Sequence, residues 1–308
     1  MDVLALGTPI MDFYAKVSRQ ELERLGLAAG ATNYLASKKL DRIICGFGKK
    51  IKLVCPGDNA RNFCEWFSAM GGSCGYCGAV GKDEEGERFL ESLRKDKILP
   101  FVEAKSGRTG RILVLITPDK ERTFCANLGV GTKYSKVEAE VLEKSKALFF
   151  TSITVGVPSL TANTALKLAE IAKSKGKKVA FALESWKMVK EKRSMLRKIA
   201  KKYADIVLMN EEEAQAFFGG EISPAQFKPS AAIFIKKGKE GSVLFYRKEK
   251  FVVPAIRARV VDTTAAGDAY AAGAIYGIIR GYSPFSSAKL GCIAATKAIQ
   301  QLGTSAPF

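Results

Sequence analysis

Val260-Val261-Asp262-Thr263-Thr264-Ala265-Ala266-Gly267-Asp268-Ala269-Tyr270 lies near the C-terminal end of the sequence. An apolar, β-branched run feeds it, Phe251 to Pro254 and again Val260-Val261, and small and apolar residues from Ala269 to Ile279 follow. The pattern predicts a strand, a turn and a buried helix. Ala265, Ala266 and Gly267 have almost no side chain, so a ligand can approach the amides that open the helix. Those amides have no intrahelical partner and sit at the positive end of the helix dipole, which makes an anion site suited to phosphate. Asp268 is a carboxylate inside that turn. It repels a bound phosphate unless it has a task, and general base for an incoming hydroxyl is the natural one. The plain alternative is a helix start rich in small residues, with Asp268 as a dipole-favourable acid.

The whole string, Asp-Thr-Thr-Ala-Ala-Gly-Asp-Ala-Tyr followed by Ala-Ala-Gly, resembles the C-terminal signature of the ribokinase (PfkB) family of carbohydrate and nucleoside kinases. That signature usually has Gly where Ala265 stands. The resemblance implies a ribokinase-like α/β fold, a three-layer sandwich with a mostly parallel central sheet and a small β-strand lid. It implies ATP and magnesium (Mg2+), with Asp268 as base and Ala265, Ala266 and Gly267 holding the transferred group.

Composition bounds the rest. At 308 residues with 47% hydrophobic content, the chain suits one large α/β domain with a small appendage. No apolar run is long enough to span a bilayer. The N-terminus, Met1 to Gly7, starts directly as a strand, and the seven cysteines make an odd number for a disulfide framework. Free thiols and a cytoplasmic location are expected. Histidine is absent, so any general base is Asp, Glu, Lys, Tyr or Cys. The net charge of +18 raises nucleic acid as a partner. The basic residues, however, are spread along amphipathic patterns such as Lys187 to Lys202, with no basic-aromatic platform beside them. A basic nucleotide- or nucleic-acid-binding protein without kinase activity stays as the reading from a different class.

Through most of the chain, strand patterns alternate with amphipathic helices, the mark of a doubly covered parallel sheet. Residues 1–308 are expected to form a single domain, with the lid built from segments of roughly 12–55 and 100–125. Within them, Asp41 to Ile44, Ile51 to Val54, Phe101 to Ala104 and Arg111 to Thr117 are expected as antiparallel lid strands, with a turn at Pro118-Asp119-Lys120. A homodimer through the lid is among the expected partnerships.

The remaining motifs follow the family's order. Asp12, five residues beyond Gly7, reads from spacing alone equally as a turn cap, and by the resemblance matches the carboxylate that binds sugar hydroxyls; a carboxylate can accept from two adjacent hydroxyls. Gly57, Asn59, Ala60 and Asn62 match the family's substrate-binding Gly-Gly-Asn-Ala-x-Asn segment, with Asp58 in place of the second Gly. Asp58 is then a further hydroxyl contact, a filter on substrate size, or simply a helix N-cap. Cys74-Gly75-Tyr76-Cys77 has metal-clip spacing, but in a strand its two thiols face opposite ways, which favours buried cysteines over zinc.

Asn210-Glu211-Glu212-Glu213 resembles the family's Asn-x-x-Glu, which positions magnesium and the phosphates through water. A capping box with Asn210 at N-cap and Glu213 at N3 is the alternative. Lys236, Gly238 and Gly241 match the nucleotide-contacting Thr-x-Gly-x-x-Gly, with Lys236 replacing Thr. Lys236 either meets a phosphate or faces solvent. Thr264 also falls in the nucleotide site, and Asp262 with Thr264 matches the family's potassium (K+) site. Ala126 to Gly129 and Gly303 to Pro307 lean toward the adenosine-kinase-like branch. The expected reaction is transfer of a phosphoryl group from ATP to the primary hydroxyl of a ribonucleoside, adenosine-like, or of a sugar as in ribokinase or fructokinase.

Overall fold

The computed structural model describes residues 1–301 and Ala306. Fourteen strands follow one another among them: β1 Val3–Leu6, β2 Ile10–Lys16, β3 Thr32–Tyr34, β4 Ile51–Gly57, β5 Cys74–Gly81, β6 Leu99–Lys105, β7 Gly110–Ile116, β8 Arg122–Asn127, β9 Ala147–Thr151, β10 Lys178–Ala182, β11 Ile206–Asn210, β12 Ala232–Lys236, β13 Ser242–Tyr246 and β14 Glu249–Val253. Nine form one sheet in the order β14-β13-β12-β11-β10-β9-β1-β5-β6. It is parallel from β12 to β6 and ends in the antiparallel β13–β14 pair.

The central strands read as unbroken apolar runs because both faces of the sheet are covered. Alternate residues enter opposite cores, as the two-residue period of a strand requires. Val3, Ala5, Phe149 and Phe234 pack on one side with the helices Asn59–Ala69, Ala266–Ile279 and Pro284–Ile299. Leu4, Leu6, Phe150 and Ile235 pack on the other with Leu160–Ser174, Arg193–Tyr203 and Glu211–Phe218. Cys74 and Cys77 are free thiols that enter opposite cores. This is the ribokinase-like α/β fold.

The remaining five strands form a second sheet, β3-β8-β7-β2-β4. It grows from the carboxyl end of β1 through Gly7-Thr8-Pro9, so it stands over the edge where the parallel strands end. It is mixed and not purely antiparallel: β2 runs parallel to β7, and β3 to β8.

Four local expectations change. Asp41 to Ile44 lies within the helix Ser37–Phe47, whose buried Leu40, Ile43 and Phe47 recur at helical spacing. Phe101 to Ala104 belongs to β6, which pairs with β5 in the large sheet and not in the lid. Val260 and Val261 are exposed and outside any strand, so an irregular crossing joins β14 to the helix at Ala266. Lys187 to Lys202 divides into two helices, Trp186–Glu191 and Arg193–Tyr203. The Gly303 to Pro307 match lies outside the described residues, apart from Ala306. No helix among the described residues is long and apolar enough to cross a membrane.

Candidate active site

The carboxyl ends of parallel strands are where open α/β sheets carry their sites, and the predicted residues converge there. The helix Ala266–Ile279 opens at Ala265, whose φ of 57° is left-handed, the conformation that favours glycine. That explains why the related signature prefers Gly at this position. The Ala266 amide closes the turn on the Thr263 carbonyl at 3.3 Å. The next two amides, of Gly267 and Asp268, have no acceptor among the described residues and remain for a ligand.

Asp268 is buried in the first turn of this helix. Asn59 donates to its Oδ1 at 3.2 Å and Asn62 to its Oδ2 at 3.1 Å. Burial, and then the Glu184 carboxylate, raise its pKa to about 8; Asn62, Lys236 and Asn59 oppose the shift. A carboxylate raised into this range can take a proton near neutral pH. Asn62, expected on the substrate, thus has its amide nitrogen committed to the base, while its Oδ1 is buried without a partner among the described residues.

Asp12 and Asp58 form the second group. Asp12, on lid strand β2, lies against Gly57: a β-carbon there would sit 2.5 Å from its Oδ2. Burial, with the Asp58 charge second, raises the Asp12 pKa to about 7. Asp58 has a φ of 92°, a glycine-favouring backbone held by a non-glycine residue. It occupies the N-cap position of the helix Asn59–Ala69, its carboxylate near the Ala60 and Arg61 amides though without a side-chain cap bond of full geometry. Its carboxylate accepts the Tyr76 hydroxyl at 2.5 Å. Burial raises its pKa to about 6, against the hydrogen bonds of Tyr76 and of backbone amides.

The third group stands at the ends of β10, β11 and β12. Asn210 and Glu213 form a full capping box: Asn210 Oδ1 accepts the Glu213 amide at 2.8 Å, and Glu213 Oε2 accepts the Asn210 amide at 2.7 Å. The cap and a metal role are compatible, because the box occupies only one Glu213 oxygen. Burial, and then Glu184, raise the Glu213 pKa to about 8. Glu184 was not anticipated. It lies two residues beyond the end of β10, with Ser185 behind it in a strained φ of 61°. The Glu184 charge acts on Glu213, so the two carboxylates lie near one another as a hard oxygen donor set, which magnesium fits.

Lys236, at the end of β12, is half-buried and does not face solvent. A β-carbon on Gly267 would lie 3.0 Å from its ammonium. Burial pulls the Lys236 pKa down, but Glu184, Glu213 and Asp268 outweigh that and leave it raised. A cavity of about 980 Å³ opens beside it, with Gly238, Gly241, Ile256, Gly267 and Ile299 on its walls. Thr264 does not face a ligand with its donors: its amide and hydroxyl bond Asp262 Oδ1 at 3.0 and 2.7 Å. The same Asp262 oxygen pairs with Arg122 of lid strand β8 at 2.9 Å.

Comparison with known proteins agrees with this geometry. Adenosine kinase of Saccharomyces cerevisiae is 24% identical, over 99% of this chain and 96% of its own length. A probable sugar kinase from Rhizobium etli CFN 42 superposes with a TM-score of 0.89 at 28% identity, over 100% of this chain and 95% of that one. Adenosine kinase from Sinorhizobium meliloti superposes with a TM-score of 0.87 at 29% identity, over 100% and 96%. The profile of the pfkB family carbohydrate kinases matches residues 55–308, more than half of the sequence. The chain therefore belongs to the pfkB family of carbohydrate kinases.

Proposed function

We propose that this kinase transfers the terminal phosphoryl group of ATP to the primary hydroxyl of a ribonucleoside of the adenosine type. The observation that carries the reading is the turn at Ala265 to Asp268. One residue there offers both a buried carboxylate of raised pKa and a helix-opening amide. Asp268 accepts the hydroxyl proton as the acceptor oxygen attacks the terminal phosphorus, and the bond to the bridging oxygen breaks, releasing ADP. The Gly267 and Asp268 amides stabilise the charge carried by the group in flight.

Asp12 and Asp58 orient the acceptor by accepting hydrogen bonds from its ring hydroxyls. The 980 Å³ cavity, with Gly238 and Gly241 on its walls, takes the nucleotide. Glu213 and Glu184 are the residues that would hold magnesium, which when bound neutralises phosphate charge. Asp262 and Thr264 bond one another beside the turn and remain the candidates for a potassium site.

Full-length similarity to two adenosine kinases supports the nucleoside reading. A free sugar acceptor is the second reading, because the Asp12–Asp58 pair recognises hydroxyls and not a base. ATP-dependent phosphorylation of a panel of nucleosides and sugars tests both. A kcat/KM for adenosine well above those for ribose and fructose supports the first, and the reverse order supports the second.

A further inference from the structure

Lys236 is the cation at this site for which the described residues supply no ion-pair partner. Its neighbour Lys237 closes ion pairs with Glu211 at 3.2 Å and Glu240 at 2.8 Å. Lys236 closes none among the described residues, although Glu184, Glu213 and Asp268 are near enough to influence it. Its ammonium is directed at Gly267, the first turn of a 14-residue helix. A helix N-terminus carries partial positive charge, so an ammonium aimed at it is repelled. Two positive groups on the wall of one cavity define an anion subsite.

We propose that Lys236 is a catalytic residue that contacts the transferred phosphoryl group, sharing its oxygens with the Gly267 and Asp268 amides. The proposal rests on the kinase reading above. In the step, the acceptor oxygen bonds to the terminal phosphorus while its proton passes to Asp268. The bond from that phosphorus to the bridging oxygen breaks, and its electron pair leaves on the β-phosphate. Lys236 stays protonated throughout and moves from the carboxylates toward the phosphoryl oxygens as charge spreads over them. A lysine suits this role as a compact point charge on a flexible stem.

The alternative is a lysine that only balances buried carboxylates, and three variants separate the two. Lys236→Met removes the charge, Lys236→Gln removes it but keeps a polar head, and Lys236→Arg keeps the charge in another shape. Lys236→Met should lower kcat by about 10²-fold, the loss typical of one preorganised donor, with little change in acceptor KM. Lys236→Gln should lose the rate to a similar extent, and Lys236→Arg should retain part of it.

The second readout needs no turnover. ATP should raise the melting temperature of the unmodified protein more than ADP does, and in Lys236→Met that difference should vanish. An unchanged kcat in Lys236→Met, a Lys236→Gln variant with near-normal rate, or an ATP-over-ADP difference that survives the substitution would each overturn the proposal. Should Lys236→Met fail to fold, Lys236→Gln is read in its place. A wild-type protein that phosphorylates no acceptor on the panel would instead sink the kinase reading, and the thermal comparison would still decide whether Lys236 meets the terminal phosphate.

Discussion

Asn62 donates its side-chain N–H to Asp268 Oδ2 at 3.1 Å, joining the first turn of one helix to the first turn of another. The bond favours the charged carboxylate and so lowers the Asp268 pKa against burial. Asn62→Ala should therefore move the acid limb of kcat/KM to higher pH and lower kcat, because the base is harder to ionise and less well oriented. A profile with an unmoved limb would show that the bond has no bearing on the base.

Removing the base has two opposite consequences. Asp268→Asn should lower turnover by about 10²-fold or more while ATP still binds. It should also stabilise the protein at alkaline pH. The folded protein holds the Asp268 proton up to about pH 8, whereas the ordinary value is 3.8. The stability this contributes is complete below pH 4 and is lost as pH rises through 8. Asn does not titrate, so the variant's melting advantage over wild type should grow from pH 5 to pH 9. Melting curves across that range check the sign, and an advantage that shrinks with pH contradicts it.

Glu213→Gln preserves the capping box, since an amide oxygen also accepts the Asn210 N–H. It removes a charge from the proposed magnesium site. The magnesium requirement should rise and the rate fall, with little loss of melting temperature. Asn210→Ala should do the reverse in part, costing about 1 kcal/mol of stability through the lost cap. If Glu213→Gln loses stability at an unchanged magnesium titration, the box is the whole function of the pair.

Asp58→Gly should relieve the backbone at a φ of 92° and remove one of the two carboxylates expected to face the acceptor. A site that loses a hydroxyl's partner discriminates less against analogues lacking that hydroxyl. The kcat/KM ratio of ribo over 2-deoxy substrate should narrow, and further sugars should be accepted. An unchanged ratio would restrict Asp58 to its bond with Tyr76.

What could be read from the residues depended on whether local pattern decides the outcome. Unbroken runs such as Val3 to Leu6 and Ile206 to Met209 announce a sheet covered on both faces, and the string from Asp262 to Tyr270 announces the phosphate turn. Asp41 to Ile44 misled because a two-residue apolar doublet fits either period. Only the wider spacing of Leu40, Ile43 and Phe47 selects a helix. Phe101 to Ala104 is a strand in either reading, and its choice of β5 as partner is a long-range matter. Glu184 carries no motif. Its meaning arises from parallel register, which sets the ends of β10, β11 and β12 side by side.

The Arg122–Asp262 ion pair ties a lid strand to the loop that leads into the phosphate turn. A lid that settles on an acceptor has to carry this tether along or break it, so the two substrates are energetically linked. Such linkage is reciprocal: the factor by which acceptor tightens ATP must equal the factor by which ATP tightens acceptor. Calorimetric titration of each ligand with and without the other, using a non-hydrolysable ATP analogue, should give equal factors above one in the native protein. In Arg122→Ala both should fall toward one, so that each ligand binds as if the other were absent.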